Sequence, residues 1–400
     1  MTRTSRDLLY RVLKSADIRP NGDRPWDMQI RNERVFDRVL GSGNLGLGEA
    51  YMDGWWDTED LTEFISRLIK VDAEALIRKS PKNLLHVLSA RLVNYGAKAK
   101  AFEVAERHYD LDHHLFEAML DKRMTYSCGY WANADSLDEA QENKLDLVCR
   151  KIGLRPGMKV LDIGCGWGSF MKYAAERYGV SCVGVSVSDE QTKIGREMCA
   201  GLPIEFRVQD YRDMDGHYDR VVSIAMFEQV GYKNMKVFFR LVRRVLADDG
   251  LFLLHTLGLN ISTVHGDPWN DKYVFPNGMV PSIKHIGESI ERVFVMEDWH
   301  NFGADYERTL QAWYQNFRKA WPVLKNRYDE RFFRMWTYYL RSCAGVIRAR
   351  YMQLWQIVLS PQGVPGGYRR VSDQERLPSD RDDNVASDRL SMNQLMPETR

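Results

Sequence analysis

Val160-Leu161-Asp162-Ile163-Gly164-Cys165-Gly166-Trp167-Gly168-Ser169 decides how the rest of the chain is read. A short apolar strand ends at Asp162, a loop with three alternating glycines follows, and Phe170 to Tyr178 continues as a helix. Only a residue without Cβ lets the backbone turn this sharply and come into contact with a ligand. Strand, glycine turn and helix form the opening unit of a doubly wound α/β domain, in which ligands bind at the strand C-termini. A dinucleotide site would place a third glycine three positions after Gly166, where Ser169 stands. The spacing G-x-G-x-G behind an acidic residue fits an S-adenosylmethionine (SAM) site; an ordinary strand-to-helix turn or another kind of nucleotide site remain alternatives at this stage.

Downstream of this unit the alternation is regular. Ser181–Val187, Ile204–Val208, Tyr218–Ile224 and Leu251–Leu257 read as further strands, with a helix over Asn234–Leu246 closed by Asp248-Asp249-Gly250. Strands alternating with helices imply a parallel sheet. Val293–Trp299 and Leu354–Leu359 are late strands that complete a seven-stranded sheet, separated by two aromatic-rich helices, about Tyr306–Trp321 and Arg327–Arg350. The expected fold class is therefore α/β with a Rossmann-like sheet, and the glycine motif with the two late strands resembles a class I methyltransferase domain.

Upstream, residues 1–105 read as a mostly helical N-terminal domain, with apolar residues at helical spacing in Leu8-Leu9-Val12-Leu13 and Leu61-Phe64-Ile65-Leu68-Ile69. Gly41 to Gly54 reads as a glycine- and aromatic-rich break in the helical pattern, with Trp55 and Trp56. Lys79 to Lys100 reads as a basic amphipathic helix carrying Leu84, Leu85, Leu88, Leu92 and Val93 on one side. Such a helix can lie on a lipid surface or present a solvated face over a buried stripe. His108-Tyr109-Asp110 opens an aromatic segment that runs to Tyr126-Ser127-Cys128-Gly129-Tyr130-Trp131 and forms a cap or front wall for the ligand site. A helix over Leu137–Ile152 and the Pro156-Gly157 turn then lead into the first strand. The catalytic domain spans 106–360, and the polar tail 361–400 is expected to be disordered.

Composition narrows the function classes. Four hundred residues with 44% hydrophobic content can bury one large core or two domains. A net charge of +1 supplies no global field toward nucleic acid or an anionic membrane, so any membrane attraction is local. The six cysteines (Cys128, Cys149, Cys165, Cys182, Cys199, Cys343) show neither C-x-x-C nor zinc-ligand spacing and fit reduced thiols, with no metal site expected. No apolar run approaches the roughly 20 residues of a membrane span, and the charged start is unlike a signal peptide, so the expectation is a soluble, cytoplasmic protein.

Four residue types converge on the strand C-terminal side. Glu228 follows the fourth strand in Met226-Phe227-Glu228-Gln229, His255 closes the fifth in Leu253-Leu254-His255-Thr256, Cys128 lies in the aromatic segment, and Tyr306 follows the sixth strand. A carboxylate and an imidazole at adjacent strand ends are close enough to work as an acid/base or anion-holding pair. Taken singly, His255 is equally a core histidine, Glu228 a helix N-terminal charge near Lys233, and Cys128 a buried small hydrophobe.

With these residues in place the chain resembles the cyclopropane-fatty-acyl-phospholipid synthases over about residues 1–360. The resemblance is carried by His108-Tyr109-Asp110, Tyr126-Ser127-Cys128, Val160–Gly168, Gln209-Asp210-Tyr211-Arg212-Asp213, Met226-Phe227-Glu228, Leu254-His255-Thr256, Phe275-Pro276-Asn277-Gly278 and Glu297–Tyr306. It implies transfer of a methylene from SAM to a cis double bond of an acyl chain in a membrane phospholipid. It further implies SAM contacts from Tyr126, Ser127, Asp162, Gly164, Gly166, Gly168, Ser186, Val187, Gln191, Asp210, Tyr211 and Arg212. A bicarbonate ion beside the SAM methyl would be held at Cys128, Glu228, His255, Tyr306 and the backbone of Leu257. Cys343 matches a cysteine proposed as catalytic in the family, although beside Leu340 and Ile347 on a helix it reads as packing. Peripheral attachment to the inner face of the membrane and a homodimer, both supported by the N-terminal domain, are also implied.

The chain departs from the family pattern at Gln229, where histidine is usual, and at Asp112-His113-His114, where Gly-Asn-Asp is usual. Gln229 can donate and accept hydrogen bonds but cannot carry a proton. An alkene is a weak nucleophile, so proximity and orientation to the sulfonium methyl carry much of the expected catalysis. Aromatic faces stabilise the resulting carbocation, with Tyr306, Trp313, Tyr314 and Phe317 available. A base, expected to be the bicarbonate, then removes a proton from the new methyl and the ring closes. Arg341, Arg348 and Arg350 are candidate headgroup contacts. Three rival readings are a methyl-branching or methylene-forming enzyme, a soluble-amine methyltransferase, and a catalytically silent lipid-binding protein.

Overall fold

The computed structural model describes residues 3–71 and 113–371. The expected amphipathic helix 79–100, the His108-Tyr109-Asp110 triplet, Asp112 and most of the tail lie outside the described residues.

The N-terminal part contains α1 (Arg3–Ser15), β1 (Gln29–Ile30), α2 (Val35–Met52), β2 (Trp56–Asp57) and α3 (Leu61–Lys70). After α4 (His113–Met119) and α5 (Leu137–Lys151), the chain enters β3 (Lys159–Ile163), α6 (Ser169–Tyr178), β4 (Ser181–Ser186), α7 (Asp189–Met198), β5 (Ile204–Val208) and β6 (Tyr218–Ile224). Then come α8 (Met235–Val245), β7 (Leu246–Leu259), α9 (Pro268–Tyr273), α10 (Ile283–Ile290), β8 (Val295–Asn301), α11 (Ala304–Leu324), α12 (Glu330–Arg348) and β9 (Met352–Ser360).

The large sheet has the order β5-β4-β3-β6-β7-β9-β8. Its first five strands are parallel, and β9 runs antiparallel between β7 and β8. The chain starts in the middle at β3, builds outward through β4 and β5, and returns to build the other half from β6. A crevice for a ligand therefore opens at the C-terminal ends of β3 and β6.

Alternating residues feed two cores, because successive side chains on a strand point to opposite faces. Leu161, Val183, Val221, Phe252, Leu254, Ile357 and Leu359 pack on one side with Phe238, Phe239 and Val242 of α8. Val160, Cys182, Val222, Leu251, Leu253 and Val358 pack on the other with Leu145, Val148 and Cys149 of α5.

A third core joins the N-terminal helices to α4, α11 and α12 around the buried Trp56, Trp269, Trp313 and Trp336. The expected N-terminal domain thus shares its interior with the long aromatic helices. Arg341 donates to Asp60 at 2.7 Å, and Arg348 reaches Glu307 at 2.6 Å and Glu63 at 3.1 Å. These two arginines, expected as headgroup contacts, are ties between α12, α3 and α11; Arg350 is exposed.

Several boundaries differ from the sequence expectation by a few residues, and three regions differ for a reason the packing shows. The stretch from Gly41 is helical to Met52, kinked only where Gly43 takes a φ of 55°. Its small residues serve close packing: a Cβ on Gly48 would collide with the Trp269 indole and the Tyr338 ring. β7 starts at Leu246, taking in the Asp248-Asp249-Gly250 stretch expected to precede the strand, and extends to Leu259, where β9 pairs with it from Phe252 onward. Residues 361–368 are built onto the body, with Tyr368 Oη donating to the Lys151 carbonyl and Val364 N–H to Glu297. Among the described residues no helix is long and apolar enough to cross a membrane, and no disulfide forms.

Gly48→Ala is expected to destabilise the protein by about 1–3 kcal/mol through overpacking, read as a lower urea midpoint with an unchanged m-value. Gly41→Ala, where a Cβ meets nothing, is the control and should leave the midpoint nearly unmoved.

Candidate active site

A cavity of about 320 Å³ lies at the crevice between β3 and β6. The loop 164–169 forms one wall. Gly164 has a φ of 86°, and a Cβ there would strike Met226, so the loop can take this path only with glycine. Tyr126, Ser127, Asp162, Gly164, Gly166, Ser186, Val187, Gln191, Asp210, Tyr211 and Arg212 all line the cavity, as expected of SAM contacts. Gly168 does not. It begins α6 with a φ of 83°, and its missing side chain makes room for Phe206.

Cys128, Glu228, His255, Leu257, Tyr306 and Cys343 line the same cavity. His255 sits opposite Ile224, the last residue of β6, and Glu228 lies on the short 3-10 turn 227–229 that follows. Glu228 Oε1 accepts from the Leu257 N–H at 2.7 Å and the Thr256 hydroxyl at 3.0 Å, while Oε2 is buried without a partner. Leu257 thus spends its N–H on Glu228, and its backbone offers a ligand only a carbonyl. Burial raises the Glu228 pKa, and the Leu257 and Thr256 donors work against it.

Burial pushes His255 well below the ordinary imidazole value, helped by the charges of Lys144 and Lys151, so the ring is neutral. The Gln356 amide lies 3.3 Å from Nδ1. With that amide assigned as donor, the ring proton sits on Nε2, which is buried and unpartnered. Tyr306 is likewise held as a neutral phenol by burial.

The cysteines are thiols. Burial and the Asp305 carboxylate push Cys128 well up, and its Sγ donates to the Gly129 carbonyl at 3.2 Å. Burial lifts Cys343 to about 12. A nucleophilic role needs the thiolate, so neither cysteine is poised for covalent catalysis.

Of the four aromatics expected to face a carbocation, Tyr306 lines the cavity and Trp313 packs edge-on behind it at 6.0 Å. Phe317 instead stacks on Phe333, and Arg341 covers the face of Tyr314. Sequence reasoning missed Phe275 and Tyr339, whose rings line the cavity beside Tyr126. The Tyr126 and Tyr339 hydroxyls lie 2.8 Å apart. It also missed Lys144, although a lysine inside an otherwise core-facing run of α5 was a visible signal. Gln229 lines the cavity with its Oε1 buried and unpartnered.

Comparison with known proteins decides the family. A profile described as mycolic acid cyclopropane synthetase matches residues 97–357. The chain belongs to the cyclopropane synthetase family. It is 50% identical over 367 residues to the cyclopropane-fatty-acyl-phospholipid synthase of Escherichia coli (strain K12), covering 91% of this chain and 96% of that one. It is 31% identical over 362 residues to the tuberculostearic acid methyltransferase UfaA1 of Mycobacterium tuberculosis, covering 84% and 83%. Among solved structures, the mycolic acid cyclopropane synthase CmaA1 complexed with S-adenosylhomocysteine (SAH) and CTAB superposes with a TM-score of 0.60 at 31% identity, over 64% of this chain and 97% of that one. The sheet is thus that of the class I SAM methyltransferases, as expected.

Asp162 is fully enclosed, and burial pushes its carboxyl up to about 7 against the pull of Lys144. Its folded pKa is above the unfolded 3.8. The unfolded chain therefore ionises first, and stability falls as pH rises through that interval. Asp162→Asn removes the penalty. It is expected to stabilise the unliganded protein by roughly 2–4 kcal/mol at pH 8, with the gain shrinking toward zero as the pH is lowered to about 4. Urea unfolding at several pH values checks this; a gain independent of pH would contradict it.

Proposed function

We propose that the protein transfers a methylene from SAM to the cis double bond of an unsaturated acyl chain in a membrane phospholipid, forming a cyclopropane ring. The observation that carries this reading is the composition of one cavity. It joins the glycine loop to the Glu228–His255 pair and to an apolar side made by Leu310, Ile347, Met352 and Leu354. A soluble amine would need a polar anchor on that side; an alkene needs only shape and apolar surface. SAM supplies the activated methyl group. The chain's own residues hold donor and acceptor in line and exclude water, which is what a weak nucleophile requires. The rings of Tyr306, Phe275, Tyr126 and Tyr339 offer π faces to a developing positive charge.

The polar end fits a bicarbonate ion by its pattern of unused groups. Glu228 Oε2 is an acceptor without a donor, and His255 Nε2 is a donor without an acceptor. Bicarbonate carries one O–H and two acceptor oxygens, so it can complete both, with the Tyr306 hydroxyl as a second donor. Cys128, hydrogen-bonded to the Gly129 carbonyl, forms the wall, and the Leu257 backbone borders the ion with its carbonyl within hydrogen-bond distance of the Thr256 hydroxyl. The ion would supply a base close to the transferred carbon. Access from a bilayer is supported by Ile261, 62% exposed in the segment between β7 and α9, whose Gly266 and Asp267 also border the cavity.

Purified protein incubated with SAM and vesicles of unsaturated phosphatidylglycerol or phosphatidylethanolamine is expected to yield acyl chains heavier by one CH₂ and lacking the olefin, measured by mass spectrometry. Glu228→Gln should lower that rate by about 10²–10⁴-fold, and depletion of bicarbonate should slow the wild type. A saturated methyl-branched product would favour a methyl-branching enzyme. No mass gain by SAM-bound protein would support a silent lipid-binding role.

A further inference from the structure

Lys144 stands apart from the groups the reaction uses. It is fully buried on α5, lines the cavity, and has no carboxylate within ion-pairing distance among the described residues. An ammonium so placed costs several kcal/mol unless something compensates it. Among the described residues its ammonium makes one hydrogen bond, to the Ser127 hydroxyl at 2.6 Å. The ammonium can only donate, so the Ser127 oxygen accepts, and the serine's own proton is left for another acceptor. Ser127 is 3% exposed and borders the cavity, and among the described residues nothing in the protein takes that proton.

The arrangement is fixed from below. One turn earlier on α5, Gln141 donates to the Ser127 carbonyl at 2.7 Å and points at that of Thr125 at 3.4 Å. Asp121 accepts from the Thr125 N–H at 2.8 Å. The 125–128 strap therefore has little freedom to turn the serine away. Two carboxyls act on the Lys144 charge from beyond ion-pairing distance, first Asp121 and then Asp162, and Asp162 also borders the cavity on the glycine-loop side. Burial lowers Lys144 to about 8, which leaves it mostly charged at neutral pH. The cavity thus offers a buried cation with a polarised hydroxyl in front of it, and a carboxyl beside the glycine loop. That pattern complements a zwitterionic amino acid.

We propose that Lys144 positions the α-carboxylate of the cosubstrate's amino-acid end, acting through the Ser127 hydroxyl, and makes the site selective for adenosyl ligands that carry that carboxylate. The inference rests on the SAM reading. Lys144 is a positioning residue: its charge orients and strengthens the serine's hydrogen bond and touches no reacting atom.

The test compares two ligands by calorimetry. SAH carries the amino-acid end; 5′-deoxy-5′-methylthioadenosine shares the adenosine and thioether but lacks it. Lys144→Met keeps the packing of the stem and removes the charge, and Ser127→Ala removes the hydroxyl and keeps the charge. A charge-assisted hydrogen bond predicts that each variant weakens SAH by about 10–100-fold and changes methylthioadenosine by less than about twofold, with the double variant no worse than the more affected single one. Equal weakening of both ligands, or of neither, would overturn the proposal and leave the SAM reading standing. A loss confined to Lys144→Met would overturn the relay through Ser127. Should Lys144→Met not fold, Lys144→Gln, which removes the charge and keeps a polar side chain, takes its place with the same two outcomes. Failure of the wild type to bind SAH would instead sink the cosubstrate reading, and the proposal with it.

Discussion

Burial of ionisable groups around one cavity is the constraint on which the rest of the structure depends. Lys144, Asp162, Glu228 and His255 are all removed from bulk water there, and burial is the largest influence on each. A low-dielectric wall strengthens every interaction inside it, and it also makes each unpaired polar atom expensive. Glu228 offsets part of that cost through two donors on one oxygen and leaves the other oxygen open. Such asymmetry weakens the empty protein and suits it to a ligand. The same logic removes thiolate chemistry, because burial drives Cys128 and Cys343 toward the neutral thiol.

Keeping water out requires more than the sheet. Strand ends are open by nature, and here the third core closes them. Residues of α1 to α3 share an interior with α11 and α12, which carry Tyr306, Leu310, Tyr339, Cys343 and Ile347 to the cavity. The ion pairs of Arg341 and Arg348 set the register of this contact, but half-exposed pairs contribute little energy. Buried indoles do most of the holding. Trp269 packs against Tyr338 with ring centroids 4.7 Å apart, directly over Gly48. A function read only from the glycine loop would miss that the N-terminal helices help to shape the substrate side.

What could be read in the sequence follows the range of the forces involved. The strands β3 to β6 and the helices α5 and α6 were legible to within two residues, since period and glycine spacing are local signals. Glu228 and His255 were legible because strand ends in a doubly wound sheet point to one place. The 41–52 helix was not legible: glycines argue against a helix locally, and only the distant Trp269 and Tyr338 explain them. The extension of β7 depended on pairing with β9, roughly a hundred residues later. Lys144 needed both the strap at Ser127 and the strand end at Asp162 before its burial had meaning.

The departure at Gln229 constrains how protons move. Its amide cannot carry one, so a proton shed near the Glu228–His255 pair has to go elsewhere. His255 is neutral, its Nδ1 is taken up by Gln356, and its Nε2 already bears a hydrogen, so it can donate a hydrogen bond but is a poor acceptor. Of these three residues, only Glu228 has a buried oxygen able to receive a proton. Burial raises its pKa and so makes it a better base whenever it is ionised, while the Leu257 and Thr256 donors offset part of that rise. Met279 N–H donates to the Glu228 carbonyl at 2.8 Å, which pins the turn carrying both Glu228 and Gln229. With the backbone fixed, a histidine in place of Gln229 would change the proton inventory of the site and leave the turn carrying Glu228 in place.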